Sequence, residues 1–125
     1  MTRDEFVQAQ DLAIVEKYEA VVTYLYPILQ RCPRRHGALR DRLIGLLFDQ
    51  VGLLYQAAKS KQPSRLYAAD AHMATLRFWL RFAADPSLKI VTPRQHAVAL
   101  RTIAETGAML GKWIKTTKGN GRSGL

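Results

Sequence analysis

The sequence predicts an all-α protein, an antiparallel up-down-up-down four-helix bundle. Apolar residues recur at spacings of three and four over four stretches, each about 20 residues long. Breaks rich in proline, glycine or basic residues separate these stretches at 31–37, 59–63 and 85–92. No stretch alternates apolar with polar residues as a half-buried strand would. Residues 1–116 form the predicted bundle domain and 117–125 a flexible basic tail.

The first helix is expected from Asp4 or Asp11 to Gln30. Thr2 and Glu5 have the spacing of a capping box, and Leu12, Val15, Tyr18, Val22, Leu25 and Leu29 mark its buried face. Pro27 predicts a kink or an end near Tyr24 to Tyr26. The loop Arg31 to Gly37, RCPRRHG, gathers Arg34, Arg35 and His36. They suit a phosphate contact, or simply a charge that offsets a helix C-terminus.

The second helix, Ala38 to Lys59, is apolar on two faces: 43, 47, 54 and 58 on one, 44, 48, 51 and 55 on the other. One face serves the protomer's own core. The other predicts a second subunit, hence a homo-oligomer.

The third helix opens at Pro63–Ser64, with serine as N-cap, and ends at Asp85–Pro86. Leu66, Ala69, Met73, Leu76 and Leu80 form one apolar stripe. Asp70, Arg77 and Arg81 fall on a neighbouring face, interleaved with Phe78, Trp79 and Phe82. Two arginines in so aromatic a segment are held by an anion, paired with acids on another helix, or solvated at the surface. His72 reads as a surface or core residue, since no second ligand stands one turn away.

Thr92-Pro93-Arg94-Gln95 is a capping box with proline at the first helical position. In the fourth helix Leu100, Ile103, Gly107, Leu110 and Ile114 form the expected seam, with Gly107 and Gly111 admitting another backbone. Arg94, Arg101, Glu105, Lys112 and Lys115 take its outer face. From Thr116 to Leu125 the chain reads as an irregular tail.

The 125 residues carry a net charge of +9. Residues 1–30 hold five acids against two bases, while residues 31–125 hold 17 bases against five acids. That balance favours a polyanionic partner, nucleic acid first and an acidic membrane second. Cys32 is the only cysteine, which suits a reducing cytosol. The first residues are polar, and no apolar run approaches the length of about 20 that spans a membrane. Catalytic constellations are missing. There is no Glu-x-x-His pair, Cys-x-x-Cys, phosphate-binding glycine loop or Gly-x-Ser-x-Gly elbow, and His36, His72 and His96 stand far apart. The expectation is a binding protein with neither cofactor nor metal.

Three segments together, IVEKYEAVVTYLYPI (14–28), PRRHG (33–37) and LYAADAHMATLRFWLRF (66–82), resemble the accessory variability determinant proteins of diversity-generating retroelements. The family is related in fold to proteins encoded in ribosomal-RNA intervening sequences. The resemblance covers nearly the whole chain. It implies a barrel-shaped homopentamer with a basic surface and channel, bound to the retroelement's reverse transcriptase and to template RNA or its RNA/DNA hybrid, in support of mutagenic cDNA synthesis and retrohoming in a bacterial, phage or plasmid context. It also implies that Arg77 and Arg81, in LRFWLRF, contact the reverse transcriptase or nucleic acid. Charge placement adds Arg34, Arg35, Arg65, Arg94, Arg101, Lys112 and Lys115 as candidate contacts. The competing expectation is a stand-alone, oligomeric RNA-binding bundle of the intervening-sequence type.

Overall fold

The structure, a computed structural model, describes the backbone of residues 3–123 and the side chains of residues 13–117. Four α-helices follow one another: α1 (Arg3–Gln30), α2 (Gly37–Ser60), α3 (Pro63–Ala83) and α4 (Pro93–Ser123). A single 3₁₀ turn, Arg34–His36, sits in the α1–α2 connection. Among the described residues there is no strand. Each helix packs on its neighbours in sequence, and α4 closes on α1, while among the described residues the diagonal pairs bring no Cα atoms within 8 Å. This is the four-helix arrangement that the 3.6-residue periodicity predicts.

Every helix contributes one buried stripe. On α3 it is the predicted set, Leu66, Ala69, Met73, Leu76 and Leu80, all fully buried. On α2 the predicted 43, 47, 54 and 58 are buried, together with Leu46, Gln50 and Ala57. On α1 the expected Tyr18, Leu25 and Leu29 are buried, while Ile14 and Val21 take the central places expected of Val15 and Val22, which lie on the flank. On α4 the expected Ile103 and Leu110 are buried, while Ala99 and Thr106 complete the seam and Leu100, Gly107 and Ile114 are half-buried beside it. Both helices carry adjacent apolar residues, and the neighbours they meet decide which is central.

α1 ends at Gln30 as expected, and Pro27 does not end it at Tyr24–Tyr26. The bond that proline cannot donate would reach exposed Thr23, whose carbonyl water can satisfy. α3 begins at Pro63 with Gln62 in the extended N-cap position, so Ser64 lies inside the first turn. Proline's fixed φ suits the first helical position and moves the cap one residue upstream. That helix ends at Ala83, two residues before Asp85, where the chain turns back and the Ile90 and Val91 amides donate to Ala83 O at 3.2 Å. α4 is helical to Ser123, past the predicted end at Thr116. The Thr2–Glu5 box, the Leu12 side chain and the side chains of the basic tail from Lys118 onward lie outside the described residues.

Among the described residues Tyr18, Gln50 and Thr106 put polar groups inside the apolar interior, and each is satisfied, Thr106 Oγ1 donating to Thr102 O at 3.3 Å. Tyr18 Oη donates to Leu47 O at 2.6 Å, tying α1 to α2, and burial pushes its phenol well above the ordinary range. Gln50 Nε2 donates to Ala69 O at 3.0 Å, and Gln50 Oε1 accepts from His72 Nδ1 at 2.6 Å. A backbone carbonyl only accepts, so the Gln50 amide is oriented and His72 carries its proton on Nδ1. His72 is thus a structural residue that links α3 to α2.

Burial lowers the His72 pKa from 6.5, with Asp49 opposing the shift and Arg42 adding to it. The folded protein then binds this proton more weakly than the unfolded chain does. The stability it contributes is complete above pH 6.5 and is lost as the pH falls towards the depressed folded value. Thermal unfolding followed from about pH 7 to about pH 5 should show the midpoint falling, and His72→Gln should flatten that fall. An unchanged slope in His72→Gln would assign the loss to other groups.

Candidate functional site

The flank of α3 beside its buried stripe carries Asp70, Ala74, Arg77, Phe78 and Arg81, and it faces the start of α4. Between the two helices lies an open groove of about 310 Å³, lined by Ala74, Arg77, Phe78 and Arg81 from α3 and by His96 and Leu100 from α4. The four-residue spacing of the arginines places both guanidiniums on one wall.

The opposite wall is set by a capping box that forms as the sequence predicts. The Thr92 amide donates to Gln95 Oε1 at 3.0 Å, and the Gln95 amide donates to Thr92 Oγ1 at 3.1 Å. His96 follows immediately, in the first turn of α4. Its Nε2 is closed from solvent and has no hydrogen-bond partner.

Among the described residues neither Arg77 nor Arg81 forms an ion pair. The pairs among the described residues are Lys17 with Glu105, at 3.1 Å across α1 and α4, and Arg40 with Asp41, at 3.1 Å within α2. The alternative in which acids of another helix hold these arginines is therefore not realised. Aromatic rings position one of them: the Arg81 guanidinium lies 5.5 Å from the Phe78 ring centre. Trp79 meets Phe78 and Phe82 edge-on, at 5.1 and 5.9 Å. Arg77 is half-buried, on the side where α4 presents Gly107: a Cβ there would lie 3.8 Å from Met73 Sδ and 4.0 Å from Arg77 Nη1. Gly107 thus faces side chains of α3 rather than a second backbone, and Gly111 has nothing near it within the protomer.

The other predicted basic residues do not join this groove. Arg34 and Arg35 are exposed on the 3₁₀ turn, where Arg35 Nε donates to His36 Nε2 at 3.2 Å. Arg65 is exposed in the first turn of α3 and donates to Gln56 Oε1 of α2 at 2.6 Å. Arg94, Arg101, Lys112 and Lys115 are exposed along α4, in a stripe that Glu105 interrupts. Lys112 borders a second groove, of about 480 Å³, with Ala13, Met109, Trp113 and Thr116.

The second face of α2 is only partly covered among the described residues. Phe48 is 46% and Tyr55 40% exposed, while Ile44 and Val51 are half-buried. The Phe48 ring sits 5.4 Å from that of Tyr26, extending this apolar strip onto α1. Among the described residues no three His, Cys, Asp or Glu side chains gather as a metal site requires, and no helix is long and apolar enough to cross a membrane.

His96 is the groove residue that sequence reasoning left without a role. Nineteen positions separate it from Arg77, and only the docking of α4 on α3 brings the two together. A family model described as bAvd-like matches residues 12–117, reaching all four helices. No curated protein sequence matches.

Proposed function

The chain belongs to the bAvd-like family, and from that membership we propose that it is a non-catalytic accessory protein of a diversity-generating retroelement. In this reading the helices run up-down-up-down, and five copies close into a barrel through the apolar α1–α2 strip. The basic surface binds the retroelement reverse transcriptase and template RNA or its RNA/DNA hybrid, supporting mutagenic cDNA synthesis and retrohoming.

The observation that carries the reading is the Arg77–Arg81 pair, free of acids and lining an open groove on a chain of net charge +9. Two uncompensated guanidiniums on one wall suit phosphate oxygens, which arginine binds in bidentate fashion. Exposed aromatic rings on α2 suit burial between copies better than permanent hydration. A ring repeats a weak contact several times and so raises total affinity without any new chemistry.

Light scattering should give a mass about five times the 14.1 kDa protomer. RNA affinity should fall about a thousandfold between about 50 and about 200 mM salt, as several phosphate contacts exchange for counterions. Co-purification with the retroelement reverse transcriptase separates this reading from a stand-alone RNA-binding ring. A monomer that ignores RNA in dilute buffer would overturn it.

A further inference from the structure

We propose that the α3–α4 groove is a single-strand nucleotide site, in which Arg77, Arg81 and His96 Nε2 hold one backbone phosphate and Phe78 stacks on a neighbouring base. The inference rests on the nucleic-acid reading above and adds to it a chemical address and a preference for unpaired strands.

A buried polar atom without a partner is destabilising, and native proteins carry few of them. His96 Nε2 is such an atom, and His96 lines the same groove as two guanidiniums that form no ion pair among the described residues. An anion resolves both deficits at once, accepting from the imidazole in its Nε2–H tautomer and from the arginines. Nε2 is closed from solvent in the free protein, so the side chains around it must part as the phosphate enters. Arg81 is exposed, with its guanidinium 5.5 Å from the Phe78 ring centre, and among the described residues it forms no ion pair that would keep it from swinging.

Phe78 decides between a nucleotide and an acidic protein segment. It is 48% exposed on the wall of the same groove. A carboxylate does not stack on that ring, whereas an unpaired base does. A duplex, with its bases already stacked inside, offers only phosphates.

The probes are a fluorescent single-stranded RNA of roughly 12 nucleotides, about one site size, and the same strand in a duplex. Phe78→Ala should weaken single-strand binding about tenfold and leave duplex binding within about twofold. His96→Leu should weaken single-strand binding about tenfold, while His96→Gln, which keeps a donor at the equivalent atom, stays within about threefold of wild type. In wild-type protein the His96 side-chain ¹⁵N signal should shift on adding the single strand, a readout independent of how any variant folds. If wild type ignores both RNAs, the accessory reading falls and the site falls with it. If wild type binds but Phe78→Ala and His96→Leu bind equally well and the ¹⁵N signal is still, the site alone is wrong. A lower scattering mass for Phe78→Ala would make the groove a subunit contact and overturn the proposal.

Discussion

Replacing Arg77 and Arg81 together with alanine is expected to weaken RNA binding about a hundredfold at low salt while leaving the bundle folded. Each arginine–phosphate contact is charge-assisted and worth about 1.5–3 kcal/mol, and two such losses near the low end make a factor of about one hundred. The salt slope should drop by about 1 to 2, because fewer counterions are displaced. Stability should change little, since the aliphatic stem of half-buried Arg77 is lost but so is the repulsion between two cations one turn apart. Fluorescence anisotropy across a salt series, with circular dichroism on the same samples, measures both effects. A folded double variant that binds RNA and reverse transcriptase normally would remove these residues from the interface.

The second large effect concerns assembly. Phe48→Glu with Tyr55→Glu should convert the oligomer into protomers of 14.1 kDa by light scattering. Both rings are 40% or more exposed within the protomer, so the substitutions leave its core untouched. In a contact between copies the same carboxylates would lose their water without gaining a partner, at a cost of several kcal/mol per charge. RNA affinity should fall in parallel although no basic residue has changed, because avidity goes with the ring. An unchanged mass would place the subunit contact elsewhere on the surface.

The bundle was legible because periodicity and caps are local. The α3 stripe from Leu66 to Leu80 is buried at every predicted position, and the Thr92–Gln95 box forms both of its hydrogen bonds. Registers that depend on a neighbour were not legible. Ile14 and Val15, or Ala99 and Leu100, are interchangeable by pattern, and only the facing helices choose the buried one. The α3 N-cap slipped for a local reason, Pro63 claiming the first helical position ahead of Ser64. In the candidate site, the spacing of Arg77 and Arg81 shows that they share a face. Whether acids meet them depends on α4, which brings His96 and Leu100 to the groove and no carboxylate. The isolated histidine carries no motif, so nothing in the sequence distinguishes it from His36 or His72.

Gly107 lies across the helix pair from a guanidinium. A Cβ there would meet Met73 Sδ at 3.8 Å and Arg77 Nη1 at 4.0 Å, ordinary contact distances, so alanine fits and a longer side chain reaches the charged tip. The room left to a charged group thus depends in part on an uncharged residue thirty positions away. Any inventory of cations would overlook that determinant, and a survey of bulk at position 107 would find it.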